Sequence, residues 1–178
     1  MIQLKLFTAE DFSRLINWVD TKKLMYIFSA ERFSFPLNHE QLATYINAED
    51  RIAYKVIVKN SNEIIGHADF SKINKQSKSA RICSVLIGDR KSSNKGFGTQ
   101  IINEMIRIGF QEMKLHRIDL GVFDFNKQAI KCYRKCGFEI EGLFKDNIKF
   151  EDEYWSTYNM SIINNYDNEK TRIKSQRI

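Results

Sequence analysis

Three strand-like runs follow one another between residues 52 and 88 with nothing helical between them, and no other feature narrows the possible folds as much. Ile52–Lys59 and Glu63–Ser71 are apolar and rich in β-branched residues, and the turn-forming Asn60-Ser61-Asn62 separates them, so they read as a hairpin. A polar link, Lys72–Lys78, leads to the third run, Ser79–Gly88. Downstream the period changes. Ile101, Ile102, Met105, Ile106, Ile108 and Met113 recur at helical spacing. His116–Phe123 then reads as a strand, Lys127–Lys135 as a helix, Phe138–Phe144 as a strand, and Tyr154–Ile163 as a closing strand.

Upstream, Leu4 and Leu6 suggest a first strand. Thr8 and Asp11 resemble a helix start, followed by an apolar face of Phe12, Leu15, Ile16 and Val19. Asp20–Pro36 reads as irregular and aromatic-rich. Asn38, with Gln41 as partner, opens a helix through Leu42, Tyr45 and Ile46. Hairpins first and a β-α-β-α-β run later predict an α/β (α+β) fold. Its sheet is mixed, mostly antiparallel and of about seven strands, with helices covering both faces.

With 178 residues, 43% of them hydrophobic, the chain is long enough for one well-buried core and short for two. We expect one domain over residues 1–165 and a basic, flexible tail over 166–178, where Lys170, Arg172, Lys174 and Arg177 face only Glu169. The N-terminus lacks a signal-peptide pattern and no run is long and apolar enough to span a bilayer, so the expectation is a soluble, cytoplasmic protein without a membrane partner. The net charge of +6 suits an anionic ligand. Nucleic acid is not expected as a partner, because no surface strand interleaves aromatics with Lys and Arg. Three cysteines make no disulfide framework, and His39, His67 and His116 lie at no ligand-like spacing to Cys132 and Cys136, so no metal is expected.

Two segments carry chemistry. Ser93-Asn94-Lys95-Gly96-Phe97-Gly98-Thr99 sits between the third strand run and the long helix. The first N–H groups of a helix have no intrahelical partners and the dipole adds positive charge there, so a diphosphate fits. Arg90, Lys91 and Lys95 add formal charge nearby. A plain strand-to-helix turn needs the same glycines. A dinucleotide-binding turn is disfavoured, since Ile101 stands where its third glycine belongs. The second segment runs from Asn126 to Phe138. Asn126 at a strand end can cap the following helix and still offer an amide to a ligand. Tyr133, two helical turns on, projects from the same side. Gly137 suits a left-handed helix stop.

Together these segments resemble the GNAT superfamily of acetyl-CoA-dependent N-acetyltransferases. Its Arg/Gln-x-x-Gly-x-Gly/Ala loop matches Ser93 to Gly98, with Ser93 in place of the usual Arg or Gln. Its Asn-x-x-Ala-x-x-x-Tyr-x-x-x-Gly-Phe segment matches Asn126 to Phe138. The closing Glu141-Gly142-Leu143-Phe144-Lys145-Asp146 is similar to the RimJ/RimL-type branch.

The resemblance implies acetyl transfer from acetyl-CoA, with no metal, to a primary amine by direct attack. The amine is a protein N-terminus, amino sugar, polyamine or amino acid. It further implies that the co-substrate enters a splay between the strands ending near Gly88 and Phe123. Lys91, Ser93, Asn94, Lys95, Gly96, Phe97, Gly98, Thr99 and Asn126 would hold it, and the backbone amides of Val85, Leu86 and Ile87 would polarise its thioester. Tyr133 is the candidate general acid for the departing thiolate. Asp69 and Asp124 are base candidates, each also readable as a hydrogen-bonded carboxylate, and His67 as a structural histidine. Tyr26, Phe28, Glu31 and Phe33 are candidates for the acceptor pocket, and the acidic Glu151-Asp152-Glu153 for greeting a cationic acceptor. A homodimer pairing through Tyr154–Ile163 is a further expectation by analogy. The competing reading is a non-catalytic acyl-CoA-binding module, which needs the glycine loop without a donor at Tyr133.

Overall fold

The computed structural model describes residues 1–92 and 95–164; Ser93, Asn94 and the tail lie outside the described residues. The chain runs β1 (Ile2–Leu6), α1 (Phe12–Trp18), α2 (Lys22–Ser29), α3 (His39–Ile46), β2 (Ile52–Val58), β3 (Ile64–Asn74) and β4 (Ser79–Ile87). It continues through α4 (Phe97–Arg107), β5 (Arg117–Phe123), α5 (Lys127–Lys135), β6 (Glu139–Phe150) and β7 (Glu153–Ile163). The strands form one seven-stranded sheet in the order β1-β2-β3-β4-β5-β7-β6, antiparallel throughout except for β4 and β5. The expected class and its mixed sheet are present.

Local chemistry accounts for the helix starts. Asp11 accepts from the Thr8 amide at 3.0 Å, and Asn38 accepts from the Gln41 amide at 2.9 Å. Gln41 does not reach the cap amide; its side chain accepts from the Ser34 N–H and donates to the Ser34 and Pro36 carbonyls. The stretch read as irregular contains α2, whose cap Thr21 accepts from the Leu24 amide at 3.2 Å. Met25 and Phe28, three apart, bury its inner face. The crowd of aromatics there hid the helical period.

Alternation sorts the sheet's side chains. Ala80 and Ile82 of β4 and Ile118 and Leu120 of β5 pack under Ile101, Ile102 and Met105 of α4. On the opposite face, α1 to α3 build a second core around Leu15, Met25, Phe28 and Leu42. Helices therefore cover both faces, but on the second face they stop at β4. Beyond it the sheet carries a polar row, Arg81, Asp119 and Asn159, on β4, β5 and β7. A smaller cluster of Phe123, Phe150 and Trp155, with Tyr26 against it, ties α2 to the β6–β7 hairpin.

Two expectations about strands fail. β6 continues to Phe150, past a register shift between Phe144 and Ile148 and past Asp146 at φ 50°, so its polar middle looked like a loop. β7 is not an exposed edge. It pairs with β5 on one side and β6 on the other, so Tyr154–Ile163 has no free edge to offer a second copy.

Candidate active site

The sheet opens where β4 and β5 part. Their parallel pairing runs from Ser79↔Arg117 to Ile82↔Leu120 and stops. One cause lies on the other side of β4: Ser84 and Val85 together oppose Ala68 of β3, and Ser84 sits at φ 51°. Such a bulge bends its strand and increases the local twist. From Cys83 onward the β5-facing edge of β4 therefore has backbone groups without a strand partner, the polar lining an elongated ligand can pair with. The opening is the middle of a cleft of about 1040 Å³ that reaches both faces of the sheet.

On the α4 side, Gly96, Phe97, Gly98 and Thr99 line the cleft. Gly96 caps α4 at φ 77°, the left-handed region that disfavours a side chain, and a Cβ there would touch nothing within 4 Å. Its glycine is required by conformation, not by crowding. Asn126 caps α5, accepting from the Ala129 amide at 3.2 Å, and lines the same cleft. Tyr133 lines it too, half-buried, and its hydroxyl has no hydrogen-bond partner among the described residues. Burial pushes that phenol well above the ordinary tyrosine range. A phenol so reluctant to ionise is first a hydrogen-bond donor to developing negative charge and only then a proton source. Cys132 and Cys136 pack on the first turn of α4, at 3.5 Å from the Thr99 hydroxyl and 3.8 Å from its carbonyl oxygen. Among the described residues no cluster could hold a metal ion.

On the opposite face, Ile27, Phe28, Arg32, Arg81, Asp119 and Asn159 are among the lining residues. Arg32 reaches from the turn after α2 to the bulge, donating to the Ser84 hydroxyl at 2.8 Å and pairing with Asp69 at 3.3 Å. Asp69 is fully buried and pairs also with Arg51 at 3.1 Å, while the Tyr45 hydroxyl donates to it. Burial, and then the Asp69 charge, raise the Tyr45 phenol well above its usual range. His67 is likewise fully buried, with Nδ1 3.1 Å from the Ser84 carbonyl oxygen; burial lowers its pKa, so the ring is neutral.

Several expected site residues are elsewhere. Asp69 does not face the cleft; it anchors two guanidinium groups and a phenol beneath it. Asp124 is half-buried beside the cleft without lining it, its amide donating to the Ser156 carbonyl. Tyr26 packs edge-on against Phe150 at 4.9 Å, and Phe33 is buried between Phe28 and Tyr45. Glu31 is exposed outside the lining, and of the four acceptor candidates Phe28 alone lines the cleft. Val85 and Ile87 line it, while the Leu86 side chain turns into the second core. Lys91 and Lys95 are exposed near the turn. The acidic run forms the β6–β7 hairpin tip, where Glu151 pairs with Lys22 at 3.4 Å and Glu153 accepts from Trp155 at 2.9 Å. It is not part of the cleft. Conversely, Arg32, Lys72, Arg81 and Asp119 line the cleft with no local motif to announce them.

A parallel strand pair that parts beside a glycine-capped helix makes this an α/β protein with a cleft running through its sheet. The acetyltransferase (GNAT) domain family matches residues 4–158, most of the chain, and the protein belongs to that family. Similar curated proteins include an uncharacterized N-acetyltransferase p20 of Bacillus licheniformis, 30% identical over 110 residues, 62% of this chain and 61% of that protein. An L-amino acid N-acetyltransferase of Escherichia coli (strain K12) is 38% identical over 73 residues, 41% of this chain and 45% of its own length. The chain thus matches about half to three-fifths of the length of these relatives. A spermidine N(1)-acetyltransferase of Vibrio cholerae matches more fully, at 29% identity over 91% of this chain and 92% of its own. Among solved structures, a Vibrio cholerae spermidine N-acetyltransferase in complex with CoA and spermine superposes with a TM-score of 0.80 at 23% identity. That likeness covers 91% of this chain and 95% of the other, and is one of fold.

Proposed function

We propose that the protein is an N-acetyltransferase that moves the acetyl group of acetyl-CoA directly onto a primary amine. The observation that carries this reading is the parting of β4 and β5, which opens one continuous cleft from the Gly96 turn past Tyr133 to Arg32. The roles follow from the chemistry of each wall. Backbone N–H groups of the α4 turn and the Asn126 amide take the diphosphate end. N–H groups of β4 near Val85, Leu86 and Ile87 pair with the pantetheine arm and stabilise charge developing on the thioester oxygen. Tyr133 donates its hydroxyl hydrogen bond to the departing sulfur. A thiol with a pKa of about 8.5 is already a fair leaving group, so this help is partial.

The attacking amine must be neutral, and an ordinary alkylammonium has a pKa near ~10.4. Among the described lining residues the one carboxylate is Asp119, and Arg81 holds it. The proton therefore leaves to water. The closing Glu141–Asp146 segment supports membership of the RimJ/RimL-type branch, residues 1–165 form one acetyltransferase domain, and the location is cytoplasmic. A homodimer would use an edge strand, β1 or β6, in place of β7.

Two measurements test the reading: calorimetric titration with acetyl-CoA, and release of free thiol across a panel of amines. We expect binding that weakens when Gly96 is replaced, and amine-dependent thiol release. Tight binding without release for any amine would instead favour an acyl-CoA-binding module.

A further inference from the structure

The charges on the acceptor side of the cleft point to the kind of amine it takes. Arg32 and Arg51 share the single carboxylate of Asp69, while Tyr45 and His67 beside them are neutral. Two guanidiniums against one carboxylate leave a positive charge, and of the two it is Arg32 that reaches the lining. Arg81 and Asp119 cancel one another. Lys72, exposed where β3 runs past Arg81, adds a second positive charge and has no ion-pair partner among the described residues. Arg32, tied to Asp69, is not placed to serve the diphosphate. Asp69, Ser71, Cys83 and Arg81 share the sheet face opposite α4, whereas the Gly96 turn lies on the α4 side. The acidic hairpin tip, which could have offset these positive charges, is outside the cleft.

We propose that the acceptor is an amine bearing its own anionic group, a carboxylate or a phosphate, which Arg32 and Lys72 receive. The proposal rests on the acetyl-transfer reading above and names its substrate class. The same charges do two things. They bind the acid end through charge-assisted hydrogen bonds, and they repel a second ammonium, so a polycation is a poor fit. They also lower the pKa of the acceptor's own ammonium, raising its neutral fraction where no basic side chain is at hand. The transfer balances: the ammonium gives its proton to water, the nitrogen lone pair bonds to the acetyl carbon, and the carbon–sulfur bond breaks with its electron pair leaving on sulfur. A second proton then passes from nitrogen to solvent.

The test is kinetic and uses matched pairs: an α-amino acid with its carboxamide, 2-aminoethyl phosphate with ethanolamine, and spermidine alone. The acid member of at least one pair should exceed its neutral partner about tenfold or more in kcat/KM, the worth of a charge-assisted bond, and the winning pair tells carboxylate from phosphate. Spermidine should be the poorest. Lys72→Gln, an exposed change, should cut that ratio severalfold through KM while acetyl-CoA affinity and the unfolding midpoint hold. Arg32→Gln should cut it further, but this variant also loosens the Asp69 cluster, so Lys72→Gln decides. Spermidine or the neutral partners matching the acids, or an unchanged ratio in Lys72→Gln, overturns the proposal and leaves acetyl transfer standing. Silence with every amine at saturating acetyl-CoA overturns both.

Discussion

The two sides of the cleft are built by different means. The α4 side is mostly backbone: a left-handed glycine, a helix N-terminus, a capping asparagine and a strand edge, all neutral. The far side is mostly side chains drawn from different elements: Arg32, Arg81 and Asp119, held by ion pairs, and the exposed Lys72. Backbone can recognise a part common to many ligands, and only side chains can be exchanged to choose among acceptors. The bulge at Ser84 joins the two, since its strand edge faces the opening while its hydroxyl accepts from Arg32.

Removing the joint should have the largest effect. Asp69→Asn leaves Arg32 and Arg51 charged around a buried site, and we expect a loss of about 3–5 kcal/mol in denaturant unfolding. A loss under ~1 kcal/mol would mean that the cluster does not brace the bulge. Next, Tyr133→Phe should lower kcat by about 10- to 10²-fold, the worth of one hydrogen bond to developing charge, while calorimetry finds acetyl-CoA affinity nearly unchanged. Equal losses in both would make Tyr133 part of the binding wall. Gly96→Val forces a β-branched residue to φ 77°, a strain of about 1–2 kcal/mol, and should weaken acetyl-CoA about tenfold without altering the preference among amines.

The smallest effect concerns the wall beyond the polar row. Arg117 grips Glu141 with two bonds of 2.6 Å, and Ser161 and Asn159 also donate to it. Those bonds, Arg117's first, hold its pKa at about 2, below the ordinary 4.5. The site is exposed, so Glu141→Gln should cost under ~1 kcal/mol. The sign follows from linkage. The carboxylate's contribution is complete above pH 4.5 and fades as the pH falls towards 2, so the gap between wild type and variant should close over that window. A gap that persists at pH 2 would place the stabilisation in packing.

The same contrast explains what could be read from sequence. Gly96 before α4, and Asn126 with Tyr133 two turns into α5, each belong to a short local motif that spacing along the chain can show. The acceptor wall depends on register: Ser71 meets Arg81, and Arg81 meets Asp119, only once β3, β4 and β5 align. Nothing near Arg32 or Lys72 in the chain announces that alignment. Which of its two readings, base or hydrogen-bonded carboxylate, suits Asp69 was hidden for a related reason. Its strand parity is visible in sequence, but the arginines that bury it come from α2's far end and the start of β2. The position of β7 was equally hidden, because strand runs give order along the chain and not order across the sheet.

That position has a consequence for how the protein is made. β6 leaves the ribosome before β7, yet β7 inserts between β6 and β5. Until residue 163 has emerged, β5 presents a bare flank and nothing fixes Asn159 against Arg81. The polar row is thus completed only when β7 inserts, and a nascent chain paused before Glu153 exposes an unpaired flank of β5.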